Sequence, residues 1–222
     1  MKVAILFEGL LNRGGGERVA LIQALHYGAD IYTAAYDPET TFPEFKRMNV
    51  KVIVSGNIRG LNHFRVRRAF SKLDLSGYDL VIGHHSSCLE AARKNRPFIW
   101  YCHAPSRWSH DLYAEELARK SLLMKVPFML VCAYLRRRDA KNILFVDAIA
   151  ANSDNVRRRL QRYYPAVYPA VIHPPIDVKR FTWKSQKDFY LSTARLDPIK
   201  RVDLIVEAFK ILPEKKVIIS SS

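Results

Sequence analysis

The chain is poor in cysteine. Cys88, Cys102 and Cys132 stand far apart, with no Cys-x-x-Cys among them. That argues against a thiolate zinc site or a disulfide framework and fits a reduced, cytosolic compartment. A long hydrophobic run is also lacking. The longest, Leu122 to Leu135, is interrupted by Lys125 and Pro127 and falls short of the roughly 20 apolar residues that cross a bilayer. The opening MKVAILFEGL has only the outline of a secretory apolar region, because Glu8 interrupts it; a first strand accounts for it better. GxGxxG, Gly-Lys-Ser/Thr and His-Glu-x-x-His are all missing, which removes the usual signatures of dinucleotide sites, P-loops and zinc hydrolases. Carboxylates are scarce: 21 Asp and Glu against 36 Lys and Arg, a formal net charge of +15. Such a balance points to nucleic acid, an anionic membrane surface or phosphorylated substrates, or else to a solvated basic surface.

What the chain does have is apolar content, 49% of its residues, enough for a packed core. Residues 2–7 read as a buried strand. Gly14-Gly15-Gly16-Glu17-Arg18 follows, then a helix with apolar period from Val19 to Leu25. Strand, glycine loop and helix can build an anion site, since glycine admits close approach and the helix N-terminus offers unpaired N–H groups. The same loop also serves as an ordinary turn in many α/β proteins. Further strands are predicted at 30–33, 50–54, 78–83, 98–102, 147–151 and 170–173. Between them fall an amphipathic basic segment from Arg59 to Lys72, a short helix at 86–93, and a helical stretch at 111–142 broken near Pro127. A helix at 154–163 is capped by Asn152-Ser153. This alternation predicts a parallel sheet covered on both faces. After a polar linker at 183–188, a β-α-β unit begins. The expected domains are therefore 1–183 and an incomplete 184–222.

Five stretches occur in order: Gly15-Gly16-Glu17-Arg18, YCHAPSRW at 101–108, AIAANSDNVRRRL at 148–160, VIHPPID at 171–177 and ARLDPIKRVDLIVEAF at 194–209. This set resembles the family 4 glycosyltransferases of GT-B architecture, and among them the mannosyltransferases of polysaccharide assembly. The resemblance implies two facing Rossmann-like, doubly wound α/β domains, the second truncated here. The N-terminal domain would hold the acceptor, the C-terminal domain a nucleotide sugar, and the chemistry would lie at the carboxyl ends of both sheets. It implies hexose transfer with retention and without a metal, and no cofactor beyond the nucleotide sugar, with GDP-mannose the expected donor. A glutamate pair of the family's second domain is not among these 222 residues.

Cleaving a sugar–diphosphate bond builds negative charge on the leaving phosphate, and a metal-free site must meet it with cations. Arg195 and Lys200, ahead of a predicted helix, match the family's positions for that role, Arg as a planar fork and Lys as a point charge. Gly15 and Gly16 resemble the glycines that approach the transferred sugar and phosphate. His103, at the end of a strand, resembles the histidine that bonds the sugar. Arg18 either meets the acceptor or is a solvated first-turn residue. Arg107 is a candidate for holding an acceptor hydroxyl or phosphate. His84 and His85 end another strand, where one lines the acceptor pocket or caps a helix. A zinc site from His84, His85, His103 and His110 lacks a suitably spaced carboxylate. Asp111 with Glu115 and Glu116 raises a glycosidase reading, but adjacent helical residues point apart.

The resemblance implies a lipid-diphosphate-linked or other glycan acceptor, and hence a cytoplasmic protein held peripherally on the inner membrane face. Arg59 to Lys72 with Arg136-Arg137-Arg138 would supply the cations for anionic headgroups; a solvated basic face is the alternative. No nucleic-acid motif accompanies the charge, so no nucleic acid is expected. Because one helix and two strands cannot cover a parallel sheet, the isolated chain is expected to be inactive. The remainder would come from an interrupted gene or a second polypeptide.

Overall fold

The computed structural model describes residues 1–54, 63–197 and 200–220. The chain divides into two compact units, Met1–Pro175 and Ile176–Ser222. The first contains β1 (Val3–Phe7), α1 (Gly15–Tyr27), β2 (Asp30–Thr33), β3 (Val50–Val52), α2 (His63–Lys72), β4 (Leu80–Gly83) and β5 (Phe98–Cys102). It continues through α3 (Tyr113–Ala118), α4 (Leu122–Asn142), β6 (Ala148–Ala151), α5 (Asp154–Tyr163) and β7 (Ala170–Val171). The seven strands form one parallel sheet in the order β3-β2-β1-β4-β5-β6-β7.

β1 lies at the centre, and every residue of VAILF is buried. Alternation sends Val3, Ile5 and Phe7 to one face, against Val19, Ala20 and Ala24 of α1. Ala4 and Leu6 go to the other, with Phe70 of α2, Trp100 and Leu160 of α5. Ile5 stands level with Ile31 on one side and Ile82 on the other. α1 stops at Gly28, whose φ of 58° lets its N–H close the last turn onto Ala24. The strand order reverses direction between β1 and β4, so the loops after these two strands part and leave a crevice at their carboxyl ends.

Several sequence expectations change here. α4 runs unbroken through Pro127. Proline in the second turn removes the donor to the Leu123 carbonyl, but that turn faces water, which satisfies the carbonyl instead. The expected helix at 86–93 is a 3₁₀ turn, Ser86–Ala91, buried throughout. Arg59 lies outside the described residues. Three cations assigned to the lipid-facing surface are engaged within the protein. Arg67 is buried and donates to Glu90 at 2.9 Å, with Asp139 Oδ1 2.7 Å from its other terminal nitrogen. Arg138 grips the same Glu90 with two nitrogens. Arg136 donates to the Ser109 carbonyl and lies over the Tyr113 ring.

In the second unit, β8 (Tyr190–Ser192) and β9 (Val217–Ile219) pair in parallel, and α6 (Val202–Lys210) connects them. Tyr190 packs edge-on against Phe209 with ring centres 5.3 Å apart.

Candidate active site at the carboxyl ends of β1, β4 and β5

The glycine run forms the start of α1, with Gly14 as its extended N-cap and no side-chain cap. The first helical bond is Arg18 N–H to the Gly14 carbonyl, so the amides of Gly15 and Gly16 have no acceptor within the helix. A Cβ at Gly16 would stand 3.4 Å from the Phe7 ring and 3.6 Å from His103 Nε2. Both are ordinary van der Waals distances, so the helix N-terminus stands beside His103 with room for a ligand to approach Gly16. Gly15 faces open space within 4 Å.

β4 delivers His84 and His85, and β5 delivers His103, to the same end of the sheet. All three rings pack on Phe7, with centres 4.5–6.4 Å away. The His84 and His103 rings stack at 5.1 Å, with His84 Nδ1 2.9 Å from His103 Nε2. The other His84 nitrogen, Nε2, lies 2.9 Å from Gln23 Oε1. That oxygen only accepts, so His84 Nε2 carries the proton and His84 Nδ1 is an acceptor. His103 therefore donates through Nε2 and keeps a lone pair on Nδ1. Asn152 braces His103 by donating to its carbonyl at 3.0 Å. Sequence reasoning paired Asn152 with Ser153 as a cap; in the structure Ser153 alone caps α5, accepting from Val156 N–H.

These rings are neutral at ordinary pH. Burial, with His85 adding to it, pushes His103 down to about 4. Burial, then His103 and His85, hold His84 well below the ordinary histidine range. His85 is lowered by burial against the pull of Glu8; its Nδ1 accepts from Glu8 N–H, and the Glu8 carboxylate accepts from Ser87.

His103 titrates near 4 when folded against 6.5 ordinarily, so the unfolded chain binds its proton first as pH falls. Stability is full above about pH 6.5 and is lost down to about pH 4, by up to about 3 kcal/mol from this residue. His84 and His85 act with the same sign. Asp139, raised by burial to about 6, acts oppositely below that pH. Urea melts of His103→Gln should show a shallower loss between neutral and mildly acidic pH; an unchanged slope would show that His103 is not the group responsible.

The other candidates separate. His84 is 1% exposed and both its nitrogens have protein partners, so it supports His103. Arg18 is exposed, its guanidinium 5.1 Å from the Phe42 ring centre. Arg107 pairs with Asp111 at 3.2 Å, and Asp111 also accepts from Arg159 at 2.6 Å. Burial works against the Asp111 charge, but Arg159 and Arg107 hold that carboxyl below the usual range. Glu116 pairs with Arg119 and Lys120 on the surface. Among the described residues, no three His, Cys, Asp or Glu are grouped to hold a metal ion. In the second unit, Arg195 and Lys200 are exposed on the turn between β8 and α6, where Lys200 N–H donates to the Asp197 carbonyl at 2.8 Å. Pro198 and Ile199 of that motif lie outside the described residues. Gln23, Glu8 and Asn152 are the site-supporting residues that sequence reasoning missed.

This is a doubly wound parallel α/β sheet with a glycine-started helix and strand-end histidines at its carboxyl end, the end at which such folds receive ligands. Residues 13–180 match Glycosyltransferase Family 4, and the chain belongs to that family. It is 24% identical over 245 residues to the alpha-1,3/1,6-mannosyltransferase ALG2 of Kluyveromyces lactis, an alignment covering 94% of this chain and 46% of that protein. Two solved structures share the GT-B fold. The Anabaena protein Alr3699/HepE, in complex with UDP and glucose, matches with a TM-score of 0.64 and 16% identity, over 99% of this chain and 60% of that one. The lipopolysaccharide outer core galactosyltransferase WaaB, in apo form, matches at 0.58 and 14%, over 100% and 68%. The chain thus spans about half the length of its curated relative.

Proposed function

We propose that this chain forms the acceptor-side domain, 1–183, and the start of the nucleotide-sugar-side domain, 184–222, of a retaining, metal-independent mannosyltransferase. The donor is a nucleotide sugar, with GDP-mannose the first candidate, and the acceptor a glycan or lipid-linked saccharide. The protein works in the cytoplasm, peripherally on the inner membrane face. The observation that carries the reading is the N-terminus of α1, at Gly16, standing beside a neutral His103 at the carboxyl end of the sheet.

The division of labour follows from the groups present. His103, its Nε2–H held by His84, offers a lone pair on Nδ1 to a sugar hydroxyl; a protonated ring would offer only donors. The cations Arg195 and Lys200 receive the charge that develops on the leaving diphosphate. That phosphate takes the acceptor proton as the new glycosidic bond forms on the same face. Arg18 and Arg107 are acceptor-side candidates, Arg107 after release from Asp111. Membership of the glycosyltransferase family, the mannosyltransferase relative and the structural likeness to a UDP and glucose complex support the reading.

The test compares the 222-residue chain with the same chain joined to a complete C-terminal lobe. The complete form is expected to consume the nucleotide sugar, give product of unchanged anomeric configuration and tolerate EDTA. The 222-residue chain by itself is expected to turn over none. Inverted product or loss of activity in EDTA would overturn the mechanism, and robust transfer by the short chain would overturn the need for a second lobe. A non-catalytic subunit would show sugar-nucleotide binding without turnover in either form.

A further inference from the structure

We propose that the Met1–Pro175 unit carries a second ligand site, for a small soluble polyphosphate, at the end of the sheet opposite the candidate active site. A cavity of about 460 Å³ opens there, lined by Arg93, Lys94, Arg138, Lys141, Leu144 and Phe145 around Glu90. That volume lies within the roughly 300–1,000 Å³ of small-molecule sites. Its walls lead into the amino ends of three strands. α2 ends at Lys72 ahead of β4, Arg93 and Lys94 precede β5, and α4 ends at Asn142 ahead of β6. Gly16 and His103 stand at the carboxyl end, so this cavity is no part of their crevice.

Charge sets the class of ligand. Arg138 and Arg67 together balance the buried carboxylates Glu90 and Asp139. Arg93, Lys94 and Lys141 remain, all exposed, and none forms a salt bridge among the described residues. Asp74 feels the Lys94 charge, but its carboxylate accepts from the Ser76 N–H at 3.1 Å. The last carbonyls of α2 and α4 bring about half a negative charge each, which offsets only one of the three cations. Like charges left around one concavity repel, and an anion seated among them relieves that repulsion. An excess near two positive charges suits a diphosphate group better than a single phosphate. The donors fit as well. Arg138 spends Nε and Nη2 on Glu90 and keeps Nη1. Lys141 stands one turn further along α4. The Arg93 guanidinium lies over the Phe145 ring, 5.5 Å from its centre, so its fork is held in place.

Such a ligand would act on the fold and not as a substrate. It would bridge the segment after the 3₁₀ turn to the last turns of α4, beside the ion cluster that ties both to α2. From that cluster Arg67 Nε reaches the other end of α2, donating to His63 Nε2 at 3.0 Å, and the His63 ring stands edge-on to Trp108 at 5.6 Å. A polyphosphate at the amino end therefore stabilises the elements on which the carboxyl end is built.

The experiment is titration calorimetry of the 222-residue chain with inorganic diphosphate and with orthophosphate at physiological salt. It uses neither nucleotide sugar nor acceptor, so it succeeds or fails independently of the transferase reading. Diphosphate is expected to saturate one site, to bind at least about tenfold more tightly than orthophosphate, and to raise the melting midpoint with its concentration. Lys94→Glu with Lys141→Glu should weaken it by about tenfold or more. Arg47→Glu with Arg158→Glu makes the same charge change outside the cavity and should leave affinity within about twofold. All four side chains are exposed, and unchanged melting curves without ligand would show that the fold is intact. No saturable binding, or equal losses in the two pairs, would overturn the proposal. So would diphosphate binding that survives Lys94→Glu with Lys141→Glu, which would place the anion elsewhere. Binding only to phosphatidylglycerol vesicles, dependent on Lys94 and Lys141, would make a headgroup the ligand and overturn it too.

Discussion

Arg67→Met is expected to lower the stability of the Met1–Pro175 unit by about 3–5 kcal/mol at neutral pH, the range for stripping one partner from a buried ion group. Arg67 joins three elements: α2, which carries it, the 3₁₀ turn at Glu90, and α4 at Asp139. Removing it treats the two carboxylates differently. Glu90 keeps Arg138, which reaches it with two nitrogens at 2.8 and 3.0 Å. Asp139 is left fully buried with no cation. Burial already holds the Asp139 carboxyl up at about 6 with Arg67 beside it, so without Arg67 it folds only as the neutral acid. A group whose folded pKa is raised costs least once it is protonated. The loss should therefore shrink as pH falls from neutral toward about 6 and change little below it, where the parent's Asp139 is itself protonated. Adding Asp139→Leu to Arg67→Met should recover a large part of the loss, since the uncompensated charge is gone. Urea midpoints across pH read both effects. A loss below about 1 kcal/mol, or one that grows in acid, would show that the cluster is not holding these elements together.

Arg67 also marks where sequence reading stops. The 3.6-residue period puts it on the stripe of Val66 and Phe70, and all three are buried. A cation on that stripe reads from sequence as part of a basic surface. Only its partners, Glu90 and Asp139, far along the chain, show that it turns inward. The same limit applies at the site. Gly16 and His103 were legible because strand, glycine loop and helix, and a histidine ending an apolar strand, are local patterns whose place in a parallel sheet is set by topology. Gln23 was not, because nothing local distinguishes a glutamine in the third turn of α1 from a solvated one. Its meaning comes from His84, 61 residues away. Asn152 was seen as half of a cap because Asn and Ser share that preference, and contact with the His103 carbonyl separates them. The succession of strands along the chain, and their parallel pairing, was legible throughout. Pro127 misled for a physical reason: proline ends helices where the lost donor would leave a buried carbonyl, and here the affected turn faces water.

In the complete two-domain enzyme, Arg195→Ala and Lys200→Ala are each expected to lower turnover by about 10²–10³, the effect of removing one preorganised donor from a site of developing charge. The expectation rests on the proposed transferase reading and on where the side chains stand. Both are exposed on the short turn between β8 and α6, the strand-to-helix junction at which doubly wound domains receive phosphates. Because the diphosphate gains charge as the sugar leaves, the loss should fall mainly on kcat, with KM for the nucleotide sugar changing much less. The two residues should also differ in rescue. Lys200→Arg keeps a cation of similar reach and should restore most of the activity. Arg195→Lys keeps the charge but loses the planar fork that meets two oxygens at once, and should restore less. Single-turnover rates at saturating donor separate these outcomes. Turnover within a few-fold of the parent for both alanine variants would remove Arg195 and Lys200 from the chemistry. A loss confined to KM would make them donor anchors that bind the ground state and the transition state equally.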